Sequence, residues 1–214
     1  MGSDANKLRK KWQNYSGKNA SIAENNFLNV FKILFEDTEF KIIAKPKDFN
    51  KIYVNIELSE QELSEIYTPP IKVKRETKTK KKPKVKAGDK HGVFPDYAIT
   101  NTETNKTIYI EVKRQDGWVE GKEKKDGRGN AHERSCKFFS PGLQKILSEK
   151  GNLGDEVLPF WTVFQGDITR DPRRVREITC WYNGLTAHYF FWRNSANPTS
   201  LIEHFIQHIK PLLT

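Results

Sequence analysis

The sequence predicts an α/β fold with a central mixed β-sheet flanked by helices. Three features predict it. Segments with alternating apolar residues interleave along the chain with segments whose apolar residues recur every three to four positions. Residues 94–113 hold two β-rich runs around the polar turn Asn101-Thr102-Glu103-Thr104-Asn105-Lys106, the pattern of a hairpin. A later run, 158–164, is strongly apolar and aromatic and reads as a central strand.

In chain order, Ile22, Phe27, Val30, Phe31, Leu34 and Phe35 follow a helical spacing over 20–36, with Ser21 and Glu24 forming a capping box. Residues 40–44 read as a short strand, 52–58 as another, and 59–67 as a short helix ended by Thr68-Pro69-Pro70. Residues 71–92 are too lysine-rich to bury apolar area and read as a flexible basic insertion. After the hairpin, 114–134 is a glycine-punctuated loop. Cys136, Phe139, Leu143, Ile146 and Leu147 give 135–150 an apolar face, broken or restarted at Pro141-Gly142. Residues 166–172 form a turn, 173–182 a helix with Val175, Ile178, Cys180 and Trp181 partly inward, and 188–192 a strand. Leu201, Ile202, Phe205, Ile206, Ile209 and Leu212 make a closing amphipathic helix, on which His204 and His208 read as part of a polar face. The tryptophans at 118, 161, 181 and 192 read as core or interface. No repeat and no second domain is visible, so 1–214 is expected to be one domain.

Charge narrows the partner class. The chain carries 37 Lys and Arg against 27 Asp and Glu, a net +10. Such a balance points to a polyanion. Ten of the basic residues lie within 71–92, against only Glu76 and Asp89. The rest of the chain is nearly neutral, so charge alone marks no DNA-binding face outside that insertion. Lys80, Lys81, Lys82 and Lys84 are its candidates for contacts to DNA phosphates; the plain alternative is a solvated insert. No apolar run is long enough to span a bilayer and no secretory leader is visible. Two cysteines are too few for a disulfide scaffold, and a cytoplasmic protein without membrane attachment is expected.

The hairpin carries the candidate chemistry. On its second strand Ile108, Ile110 and Val112 share one face, and Tyr109, Glu111 and Lys113 the other. Asp96 opens the first strand, where pairing brings it beside Glu111. Two carboxylates are hard ligands for Mg²⁺, and a lysine beside them suits the charge that develops on phosphate. Pro95-Asp96 followed by Glu111-x-Lys113 resembles the PD-(D/E)xK nuclease signature. Alone, the same residues also fit a solvated surface pair beside a turn-opening Pro-Asp. Next to them lies Gly127-Arg128-Gly129-Asn130-Ala131-His132-Glu133-Arg134. Arginine suits guanine O6 and N7, and asparagine suits adenine N6 and N7, although Arg-Gly loops are commonly plain turns.

Longer stretches carry a more specific likeness. Residues 111–122 and 127–137, with Leu158-Pro-Phe-Trp161, 166–172 and 174–179, resemble the MunI-type restriction endonucleases, relatives of the EcoRI family. The resemblance implies a PD-(D/E)xK restriction-endonuclease-like fold. It further implies a homodimer that cuts palindromic duplex CAATTG with Mg²⁺ to leave 5′ AATT overhangs. Asp96 and Glu111 match that family's metal-binding acids and Lys113 its catalytic lysine. Asn130, Ala131, His132, Glu133 and Arg134 match the run that reads the inner AATT, and Arg128 the arginine for the outer C·G pair. The basic insertion departs from the family pattern. Two other readings stand beside this one: a structure-selective repair or junction nuclease of the same superfamily, and a sequence-specific DNA-binding protein with an idle centre.

Overall fold

The structure is a computed structural model. It describes residues 24–47, 49, 94–117, 119–122 and 131–214, without the side chains of 131, 133, 134, 136 and 141. The expected strand at 52–58, the helix at 59–67 and the basic insertion lie outside the described residues.

Helix α1 covers residues 24–34. It leads into β1 (Phe40–Ala44), and the hairpin follows as β2 (Tyr97–Asn101) and β3 (Thr107–Arg114). A 3₁₀ helix, Ala131–Phe139, precedes α2 (Pro141–Gly151). Then come β4 (Phe160–Gln165), a 3₁₀ turn at Gly166–Thr169, α3 (Pro172–Tyr182) and β5 (Tyr189–Trp192). The last helix, α4, runs as α over Thr199–His204, as π over Phe205–Ile209 and as α again over Lys210–Leu213. Pro211 lacks the amide that an α register needs there, which accounts for the wider turn before it.

The strands form one sheet in the order β1-β2-β3-β4-β5. β1, β2 and β3 pair antiparallel, whereas β3, β4 and β5 pair parallel, so the sheet is mixed as expected. Pro141-Gly142, expected as a break or a second start, is a helix start. The Ser140 hydroxyl accepts from the Leu143 amide at 3.4 Å, and proline tolerates the first helical position because it has no N–H to satisfy. Asp171 caps α3 in the same way, accepting from the Arg173 amide at 3.1 Å.

Both faces of the sheet are covered. On one, Tyr97, Ile99, Ile108, Ile110, Val112, Trp161 and Val163 pack with Phe27 and Phe31 of α1 and Leu201, Phe205 and Ile209 of α4. On the other, Ala98, Tyr109, Phe160 and Phe164 pack with Phe138, Leu143 and Leu147, and with Ile178 and Tyr182 of α3. Each large side chain so buried contributes about 1.5–3 kcal/mol. Tyr109, expected on a polar face, is 5% exposed, and its ring meets Phe49 at 5.2 Å. Cys180, expected partly inward, is exposed on α3, where the buried positions are Arg174, Ile178 and Tyr182. His204 is not on a solvated face either: its ring lies parallel to that of Trp161 at 5.5 Å. Among the described residues no helix is long and apolar enough to cross a membrane.

Candidate active site

Cover over β3 ends at its C-terminal end, and there the charged groups gather. Residues 107–112 are buried, whereas Lys113 and Arg114 are half-buried. The register pairs Tyr97 with Ile110, which sets Asp96 next to Glu111 just past the end of β2. With β2 starting only at Tyr97, the Asp96 side chain takes over the ladder: its Oδ2 accepts from the Val112 amide at 2.7 Å. Glu111 and Lys113 share a face because they are two apart on a strand, and Lys113 Nζ donates to Glu111 Oε1. The structure thus brings together all three residues expected from the sequence.

Burial raises the Asp96 carboxyl above its ordinary pKa, while Lys113, the Val112 amide and Lys45 pull the other way without cancelling it. Two further residues belong to this neighbourhood. Lys45 follows β1 with a left-handed backbone (φ 48°), and its amide donates to the Asp96 carbonyl at 2.8 Å. Glu24 lies one helical turn before Phe27, whose ring stacks on Tyr97 at 5.4 Å. Burial raises the Glu24 carboxyl, the charge of Asp96 raises it further, and Lys45 and Lys113 oppose both. Sequence reasoning gave Glu24 only a capping role and Lys45 none. Neither residue lies in a motif that links it to Asp96 across the intervening chain.

Glu111 is 6% exposed, and its Oε2 is buried with no hydrogen-bond partner among the described residues. No three His, Cys, Asp or Glu side chains converge among the described residues. The local donor set is therefore a pair of carboxylates with one oxygen left over. Such a set fits a hard divalent cation that fills its remaining positions with water and phosphate oxygens, and it lacks the nitrogen and sulfur ligands of a structural zinc site.

Beyond β3 the chain is held against the 3₁₀ turn that precedes α3. Arg114 Nε donates to Asp116 at 2.8 Å, and the Gly117 amide donates to Asp167 at 2.9 Å. The 3₁₀ helix Ala131–Phe139 buries His132, Ser135 and Phe138, the three-residue repeat of that helix type. His132 is 0% exposed. Its Nε2 lies 3.0 Å from Glu177 Oε2 and 2.6 Å from Arg174 Nη1, and its ring stacks on Trp181 at 5.3 Å. His132, expected among the base-reading residues, thus has its ring turned into the protein and held by α3. Burial works to raise the Glu177 carboxyl. Hydrogen bonds from Arg174 and Arg173, with the charges of Arg174 and His132, outweigh it and hold the group below its ordinary value. Arg128, Asn130 and the lysines at 80, 81, 82 and 84 lie outside the described residues, as do the side chains of Ala131, Glu133 and Arg134.

A profile of the family described as "Type II restriction enzyme MunI" matches residues 1–214. The chain belongs to the MunI family of type II restriction enzymes. The type II restriction enzyme MunI of Mycoplasma sp is 45% identical over 214 residues, with all of both chains covered. The crystal structure of MunI restriction endonuclease in complex with cognate DNA superposes with a TM-score of 0.68 at 46% identity. That superposition covers 95% of this chain and 97% of the other. The fold is therefore that of a MunI-family endonuclease, and the chain is a restriction endonuclease, a phosphodiester hydrolase. Type II restriction enzymes generally need a divalent metal.

Proposed function

We propose that this MunI-family enzyme is a cytoplasmic homodimer that binds duplex DNA at CAATTG and cleaves it with Mg²⁺, leaving 5′ AATT overhangs. The whole chain, 1–214, acts as one catalytic domain. A palindrome presents identical half-sites about a two-fold axis, so a two-fold dimer sets one catalytic centre on each strand. What supports the reading most is the Asp96 carboxylate hydrogen-bonded to the Val112 amide, beside the Glu111–Lys113 pair, in a chain of this family.

Asp96 and Glu111 would hold the cation, whose contribution is Lewis acidity toward phosphate and water oxygens. The orphan Oε2 of Glu111 is an oxygen donor suited to it. Lys113 orients the attacking water and steadies negative charge on the phosphate. The reaction adds one water across one P–O bond: the hydroxyl joins phosphorus, and the released oxygen takes a proton. Burial raises the Asp96 carboxyl, and a cation beside it would stabilise its charged form.

Base reading falls to Arg128 at the outer C·G pair and to Asn130, Ala131, Glu133 and Arg134 at the inner AATT. His132 lies in the same run, and its burial gives it a different task. Lys80, Lys81, Lys82 and Lys84 contact DNA phosphates.

One experiment tests the whole. Plasmid DNA is incubated with the protein in Mg²⁺ and in EDTA, and the ends of any fragments are sequenced. The expected result is cutting only with metal, at CAATTG, with four-nucleotide 5′ overhangs. Intact plasmid in Mg²⁺ would sink the catalytic reading, and a different end sequence would sink the target. Monomeric protein on the palindrome would sink the dimer.

A further inference from the structure

We infer that Arg174 and Glu177 of α3, acting through His132, are positioning residues that fix the base-reading run against the catalytic sheet and thereby set target discrimination. The inference rests on the assignment of base reading to Arg128–Arg134 made above. Three observations carry it.

First, His132 is completely buried inside the run that the sequence marks for DNA contact. In a 3₁₀ helix side chains three apart eclipse, so the buried face is 132, 135 and 138, while positions 133 and 134 fall on the two other faces of the same turn. Fixing His132 therefore fixes the rotation of the helix that carries Glu133 and Arg134.

Second, one ring nitrogen of His132 meets both partners on α3. As a donor it serves Glu177 Oε2 at 3.0 Å; as an acceptor it receives a hydrogen bond from Arg174 Nη1 at 2.6 Å. Either tautomer leaves the imidazole tied to α3. Arg174 Nη1 also donates to Glu177 Oε2 at 2.6 Å, and Arg173 Nε donates to Oε1 at 3.0 Å, so the carboxylate is itself held at both oxygens. The Trp181 indole stacks on the imidazole, 9° from parallel at 5.3 Å.

Third, α3 also holds the chain ahead of the run. Arg176 Nη2 donates to Glu120 Oε2 at 3.1 Å, and Asp167, within the 3₁₀ turn that precedes α3, accepts from the Gly117 amide. α3 itself packs Ile178 and Tyr182 into the core beneath β4, the strand paired in parallel with β3. The helix thus relates the run to the strand that bears Glu111 and Lys113.

The test compares full-length wild type, Glu177→Ala and Glu177→Gln. Glu177 is partly exposed, so its truncation leaves the apolar core intact. Two measurements are made on each: amide hydrogen exchange over 131–139, and the ratio of kcat/KM on the CAATTG duplex to that on single-base variants. In Glu177→Ala, exchange over 131–139 accelerates at least about ten-fold while β3 and β4 are unchanged. The discrimination ratio falls by roughly ten-fold or more, the scale of one lost base contact, with KM rising more than kcat falls. Glu177→Gln keeps an acceptor for Arg174 and restores most of both. Unchanged exchange in Glu177→Ala would overturn the inference, as would faster exchange with an unchanged ratio. A wild type that cuts every variant equally would instead strike the base-reading assignment, and the exchange arm alone would then decide whether α3 holds the run.

Discussion

The Asp96 side chain caps the hydrogen-bond ladder of its own hairpin: Oδ2 accepts from the Val112 amide at 2.7 Å. One carboxylate therefore has two tasks, ending the β2–β3 pairing and facing the site. Asp96→Asn separates them, because the amide oxygen still accepts while the charge is gone. The melting temperature should stay within a few degrees of wild type. Cleavage should fall at least about 100-fold, the cost of removing one preorganised electrostatic group from a reacting centre. Gel shift without metal should show specific binding retained. Cutting at the wild-type rate would remove Asp96 from the metal site.

Arg128→Ala should cost about 1–3 kcal/mol of discrimination at the outer base pair and little at the inner four. The check is a competition assay across duplexes changed one pair at a time. Equal loss at every position would mean that Arg128 contacts backbone rather than base.

Why is the convergence of Asp96, Glu111 and Lys113 legible in the sequence while their neighbours are not? Asp96, Glu111 and Lys113 sit on one hairpin, and alternation along a strand plus a short turn fixes their mutual placement locally. The five strands are legible because each is a short run, alternating as in β3 or continuously apolar and aromatic as in β4, bounded by turn residues. Glu24 and Lys45 reach Asp96 only through the packing of α1 on Tyr97 and the pairing of β1 with β2, relations that no single segment encodes. The burial of His132 is not legible because composition shows only a polar residue in a polar run. Its burial depends on Arg174 and Glu177, more than forty residues on. Tyr109 shares the charged face of β3 in the sequence pattern, and its burial is not legible because alternation reveals two faces but not whether helices cover both.

Deleting 74–86 removes eight Lys and Arg residues. If the insertion contacts phosphates, the slope of log K against log salt should become shallower by about 0.9 for each lost contact, with the target unchanged. A slope equal to wild type in the same titration would make the segment a solvated insert.

Gly166→Ala should destabilise the fold. Gly166 has φ +80°, and a Cβ there would lie 2.4 Å from Asp116 Oδ1 and 2.8 Å from the Gln115 carbonyl oxygen. The left-handed backbone costs a non-glycine residue about 1–2 kcal/mol before any clash. A loss of roughly 2 kcal/mol, seen as a drop of about 4–8 °C in melting temperature, is expected for a chain of this size. Asp116 must also shift, which loosens its ion pair with Arg114 at the end of β3. An unaltered melting temperature would show that the turn accommodates a side chain.

The last prediction concerns pH. His204 lies parallel to Trp161 and near the rings of Phe190 and His208, at 4.7 and 4.8 Å. Burial lowers its pKa from 6.5 to about 4; the Thr186 and Tyr189 carbonyls oppose the shift, and His208 and His188 add to it. Between those two values the unfolded chain binds a proton that the native chain refuses. Stability therefore rises with pH across that window, is complete above 6.5, and drains away as pH falls toward 4. The slope from this one group is at most about 1.4 kcal/mol per pH unit, reduced by solvent screening of a ring that is not wholly buried. His188, also lowered by burial, acts in the same direction, so wild type alone does not isolate His204. His204→Phe keeps a ring against Trp161 and removes the titration. Urea unfolding at pH 7.5, 6.5, 5.5 and 4.5 should show wild type losing stability faster than the variant between 6.5 and 4.5, with the two parallel above 6.5. Parallel curves over the whole range would mean that His204 titrates alike in the folded and unfolded chains.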